Sequence, residues 1–173
     1  ATRKVFFEKF QFYLADVVLL GDSNTGEEEL LEIDLIDFTN MQDVAAAEAG
    51  VTKNFNNVPV GNYTSIRLGI GVPADQNATQ GTDYSDSHPL GIDGMYWSGW
   101  SSFIFAKIEG KTDANGDEIH DDANLSYHTG TDEVYQEVSI PIQLTVEEGK
   151  TAPTIGFDID VQKLFQHDGE PVS

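Results

Sequence analysis

Apolar residues in this chain recur at every second position, and nowhere at the three-to-four spacing of a long helix. The run VFFEKFQFYLADVVLL from Val5 to Leu20, with polar breaks at Glu8-Lys9, Gln11 and Asp16, predicts one long strand, or two with a bend near Glu8-Lys9. The turn residues Gly21 to Gly26 lead into ELLEIDLIDF. There Leu31, Ile33, Leu35 and Asp37 share one face, and Glu32, Asp34 and Ile36 the other. This second strand is expected to return antiparallel to the first.

Residues 41 to 50, MQDVAAAEAG, form the one alanine-rich stretch and predict a short helix stopped by Gly50. A turn at residues 58 to 62 feeds the strand YTSIRLGIGV, and residues 73 to 94 read as a long polar connection of a functional or mobile kind. A strand is expected from Met95 through Gly110, followed by a turn over Asp113 to Asp117 and a strand over Asn124 to His128. Two more strands are expected near Glu133 to Leu144 and Thr154 to Val161, then a helical turn and a loose tail over residues 166 to 173. With no βαβ alternation and no repeat, the economical architecture is all-β: a single domain over residues 1–173, an antiparallel β-sandwich or barrel-like sheet with at most one or two short helices.

Charge narrows the partners. Nine Lys and Arg stand against 30 Asp and Glu, a formal net charge of -21, so nucleic acid and anionic membranes are repelled over most of the surface. No apolar run is long enough to span a bilayer, and the opening Ala1-Thr2-Arg3-Lys4, with neither Met nor a signal-peptide core, reads as a mature or trimmed form. The absence of cysteine excludes disulfides, thiolate metal sites and cysteine nucleophiles.

Of the four histidines, His120 and His167 lie in acidic, polar surroundings that predict a solvated role. His88, in the long connection, and His128, at a strand end, are expected to converge at one end of the sandwich. Two imidazoles without a thiolate suit copper or zinc better than calcium or magnesium. The alternating oxygen donors from Asp113 to Asp122 make calcium the alternative cation, although Asn115-Gly116 between strands is also an ordinary hairpin turn. No catalytic motif stands out, so a binding protein is the expected class rather than an enzyme. The aromatic run Met95 to Phe105, read as one continuous strand, puts Trp97 and Trp100 on opposite faces. One is then expected between the sheets and the other under the long loop or in solvent.

Several pieces in order resemble the MbnP family of bacterial copper-associated proteins: FQFYLADVVLL, VPVGNYTSIRLGIGV, His88-Pro89, the run Gly94-Met95-Tyr96-Trp97 leading to Phe105-x-Lys107-x-Glu109-Gly110, Tyr127-His128-x-Gly130, and IGFDIDVQKLF. The resemblance implies an exported, periplasmic or secreted β-sandwich that holds one copper ion through histidines. In some members a tryptophan beside the ion is oxidised to kynurenine by a dihaem partner of the peroxidase type. Carried over by position, His88 and His128 become the candidate ligands, with Trp97, Met95 and Trp100 as the residues lining or modified at the site. Where the family usually carries its second tryptophan two residues after the first, this chain has Gly99, with Trp100 one position later. The alternative from another class is a metal-free adhesion or carbohydrate-recognition module in which Trp100, Tyr84 and Tyr96 stack on sugar rings.

Overall fold

The computed structural model describes residues 4–39, 41, 43–151, 153–167 and 170–171, with backbone alone for 162, 165–167 and 170–171. Its organising element is the first strand, β1 (Lys4–Gly21), 18 residues long. At about 3.3 Å per residue such a strand spans roughly 60 Å, more than one flat layer of a domain this size accommodates. Its ladder is interrupted along its length. Its register against β5 (Ser102–Asp113) shifts between Phe7 and Lys9, where the sequence predicts a bend. A second irregularity centres on Asp16, which has a φ of 48° and whose carboxylate accepts a hydrogen bond from the Tyr135 hydroxyl at 2.8 Å.

β1 also changes partners along its length. Lys4 to Phe12 pair with β5, and Leu14 to Gly21 pair with β3 (Gly61–Ile70). The returning strand β2 (Glu27–Asp37) runs antiparallel along the other edge, from Gln11 to Leu20. β7 (Gln136–Val146) pairs with β3, β6 (Ala123–Gly130) with β5, and the two-residue β4 (Tyr96–Trp97) with the start of β5. The result is an antiparallel β-sandwich built from one seven-stranded sheet, not a closed barrel.

The second half of β1 feeds two cores. Tyr13 and Ala15 join Ile33, Leu35, Val72, Leu90, Met95 and Phe103 to Phe105, whereas Val17 and Leu19 join Tyr63, Ile66 and Leu68, with Ile140, Ile142 and Leu144 of β7 packed against them. Burial of this apolar surface is the main stabilising term. The short helices are α1 (Val44–Ala49), capped by Asp43 and ended at Gly50 as its alanine content predicts, and α2 (Ala74–Asn77). No helix among the described residues is long and apolar enough to cross a membrane.

Two strand expectations are corrected. Residues 154 to 160 form no strand, and a 3-10 turn follows over Val161–Phe165. Alternation supplies two faces but not a hydrogen-bonding neighbour. Here only Ile155 packs against a core, while Phe157 and Ile159 remain exposed. The expected strand from Met95 to Gly110 is broken at Ser98–Ser101 into the β4–β5 hairpin: Trp100 N–H donates to the Trp97 carbonyl at 3.1 Å, Ser101 N–H to the Ser98 carbonyl at 3.2 Å, and Ser101 takes a φ of 52°. Of the tail, Gln166–His167 pair with Glu170–Pro171, while residues 168–169 and 172–173 and the His167 side chain lie outside the described residues.

Candidate metal centre

The hairpin turn is what brings the aromatic residues together. Because the chain reverses between them, Trp97 and Trp100 do not fall on opposite strand faces. Their rings stack 5.2 Å apart with planes 15° from parallel. Neither lies between the sheets, since the two are 45% and 41% exposed. Small residues make room for the stack. A Cβ at Gly99 would sit 2.5 Å from Trp97 Nε1, and one at Gly130 would sit 2.7 Å from the Phe103 carbonyl oxygen and 3.0 Å from Trp100 Cε3. Gly99 is thus the residue that admits this stack.

His128 stands beside the pair. Its ring meets Trp97 edge-on at 6.1 Å, and its side chain is only 13% exposed. Strand register explains the position: Lys107 lies across from His128 and Glu109 from Ser126, so the four side chains share one face of β5–β6. Glu109 Oε1 accepts from His128 Nε2 at 2.9 Å, with Ser126 Oγ 3.4 Å from the same nitrogen. Lys107 Nζ donates to the Gly94 carbonyl at 3.0 Å, tying the segment that precedes β4 to this face.

The long connection before β4 is anchored, not loose. Leu90 and Met95 are buried in the first core, and the buried Tyr13 hydroxyl donates to the Pro89 carbonyl at 3.0 Å. Burial pushes the Tyr13 phenol well above its ordinary pKa, so it stays a donor. Buried Asn77 knots the connection to the sheet. Its Oδ1 accepts from Phe103 N–H at 2.9 Å and Ser102 Oγ at 3.0 Å, its Nδ2 donates to Asp132 Oδ1 at 2.7 Å, and Ser102 Oγ accepts from Thr131 N–H. Met95, expected as a lining residue, is 1% exposed and belongs to the core under the hairpin.

His88 lies on the other side. It stacks on Tyr84 at 4.4 Å, and Tyr84 packs edge-on against Phe103, the residue paired with Tyr96. Tyr96 and Trp97 are adjacent in a strand and point to opposite faces. His88, through Tyr84, and His128 therefore approach the β4–β5 hairpin from opposite faces. His88 Nδ1 accepts from Leu90 N–H at 3.1 Å, capping the 3-10 turn Pro89–Gly91. The His120 ring lies against Phe6 with centroids 5.4 Å apart and planes tilted by 34°.

The acidic turn between β5 and β6 satisfies itself. Asp113, 2% exposed, accepts from Gly116 and Glu118 N–H, Asp122 accepts from Ala114 and Asn115 N–H, and Asp117 accepts from Ile119 N–H. The Gly116 N–H first, with Glu118 N–H and the Lys4 and His120 charges behind it, holds the Asp113 carboxyl below its ordinary pKa despite desolvation. Among the described residues no three His, Cys, Asp or Glu side chains gather closely enough to hold a metal.

Of the two histidines, His128 is the better placed to offer a ring nitrogen to a metal. The free nitrogen of His128 is Nδ1, with Nε2 held by a carboxylate as metal-binding imidazoles commonly are. His88 spends its one neutral-ring lone pair on Leu90 N–H, and would have to surrender that bond, worth about 1 kcal/mol, to ligate. Sequence reading missed Glu109, Asn77 and Ser102. Glu109 was visible only as part of the Lys107-x-Glu109 spacing, and the polar knot left no signal because its members are far apart in sequence.

The chain matches the MbnP family model over residues 1–172 and belongs to that family. No curated protein and no solved structure matches it.

Proposed function

We propose that this member of the MbnP family is an exported protein that binds one copper ion through histidines, with His128 as the principal ligand and Trp97 beside the ion. The observation that carries the reading is the edge contact of the His128 ring with Trp97, in a chain whose family is copper-related. Bound copper supplies an electron-accepting centre for soft and borderline donors. The chain's own part is to orient the His128 ring, shield it to 13% exposure, and hold the Trp97–Trp100 stack against it. His88 joins as a second ligand in this reading only through a movement of its connection around the hairpin that also gives up the Leu90 bond. The role is binding without turnover. Trp97 is the ring offered to a dihaem partner of the peroxidase type for conversion to kynurenine.

A competition titration with copper on the wild-type chain, His128→Ala and His88→Ala tests this directly. One site per chain and an affinity reduced at least roughly tenfold by His128→Ala are expected, in line with loss of a principal ligand. Unchanged affinity in His128→Ala would refute the site.

A second reading has its own observation. A cleft of about 590 Å³ is lined by Tyr84, Tyr96, Asp86 and Asp93, a combination of ring faces and acceptors that suits a sugar. Glycan binding insensitive to chelator would favour it. Calcium at the acidic loops is the weaker cation reading. A melting temperature raised by calcium and not by copper would mark it.

A further inference from the structure

The spacing Lys107-x-Glu109 is not absorbed by a ligand set of two histidines, yet both side chains work at the same place. We propose that Glu109 is the positioning residue of the His128 site: it fixes the ring in the tautomer protonated at Nε2 and so leaves Nδ1 as the nitrogen that takes copper. This inference rests on the copper reading above.

A carboxylate only accepts hydrogen bonds, so a 2.9 Å contact from Glu109 Oε1 to His128 Nε2 requires the proton on Nε2. A neutral imidazole carries one N–H. The lone pair is then on Nδ1, which makes no hydrogen bond among the described residues. The carboxylate is held in turn by two lysines, with Lys9 Nζ 3.8 Å from Oε2 and Lys107 Nζ 4.0 Å from Oε1. Lys107 also donates to the Gly94 carbonyl, so one side chain links the carboxylate to the segment entering Met95-Tyr96-Trp97. The strand geometry fixes the reach: Glu109 is the diagonal neighbour of His128 across β5–β6, a spacing that a long carboxylate spans and a short one does not. His88 shows the opposite arrangement, its lone pair engaged by Leu90 N–H. The two histidines are thus unequal before any metal arrives, Glu109 leaving Nδ1 of one open and Leu90 N–H engaging Nδ1 of the other.

The test has a readout that needs no metal. Long-range proton–nitrogen correlation spectra of the metal-free full chain, recorded at alkaline pH where imidazoles are neutral, report which ring nitrogen of His128 carries the proton. The wild-type chain is expected to show the Nε2–H form. Glu109→Gln, whose amide presents either a donor or an acceptor, is expected to lose that preference and to bind copper roughly 10- to 100-fold more weakly. Its melting temperature should hold, because Glu109 is 33% exposed and not part of either core. Glu109→Asp keeps the charge but falls short, so copper affinity is expected between those of wild type and Glu109→Gln. An Nδ1–H ring in a wild-type chain that binds copper overturns this inference alone, as does a Glu109→Gln chain that binds copper like wild type. Absence of copper uptake by the wild-type chain overturns the copper reading, and with it the role given to Nδ1.

Discussion

Trp97 and Trp100 stack 5.2 Å apart on the outside of a hairpin, and a Cβ at the residue between them, Gly99, would sit 2.5 Å from Trp97 Nε1. The pair is therefore a product of the turn and of that glycine, not of strand alternation.

Gly99→Ala is expected to separate the rings. Near-parallel indoles this close couple their electronic transitions, so the exciton signal in circular dichroism should fall. The added methyl should destabilise the chain by about 1–3 kcal/mol, the usual range for overpacking. Gly130→Ala, pressed against Phe103 and Trp100, should act the same way. An unaltered dichroism spectrum in both variants would contradict the stacked geometry.

Asn77→Ala removes the side chain that serves Phe103 N–H, Ser102 Oγ and Asp132 at once. Leaving the buried Phe103 N–H without this acceptor should cost about 1–3 kcal/mol in urea unfolding. Hydrogen exchange at the Phe103 amide should accelerate along with it. Slow exchange retained in the variant would show that the connection before β4 is anchored elsewhere.

Acid should act through the turns. Asp113 and Asp22 both have carboxyl pKa values below the ordinary range. Gly116 N–H is the main cause for Asp113 and Asn24 N–H for Asp22, each backed by further hydrogen bonds. A lowered native pKa means the folded state binds its proton later than the unfolded chain. The stabilisation is therefore complete above the unfolded carboxyl pKa near 3.9 and is lost as pH falls through the folded values. Melting temperature should drop below about pH 4, and Asp113→Asn should flatten part of that drop. An acid limb identical in Asp113→Asn would contradict the assignment.

The long strand, its return and the short alanine helix were legible in the sequence because period and capping are local. The Glu8-Lys9 bend was legible too, since paired charges interrupt the apolar pattern there. The hairpin at Ser98–Ser101 was not. Its flanking aromatics satisfy the strand period on both sides, and only the backbone reversal shows that the period restarts. Ile155, Phe157 and Ile159 misled for the related reason that a face without a neighbouring strand makes no ladder. At the candidate site, His88 and His128 were singled out together by their places in the chain, and Trp97 by the resemblance. The diagonal reach of Glu109 depends on register between β5 and β6, which no single strand carries.

Native and then denaturing intact-mass spectrometry of protein purified from its own host tests copper binding by this chain. It reads metal stoichiometry and the state of the tryptophans together. One copper per chain is expected in the native spectrum, lost on denaturation. Any modification should appear on the Trp97 peptide as the gain of one oxygen and loss of one carbon that mark kynurenine. An unmodified metal-free mass that takes up no copper on titration would contradict copper binding.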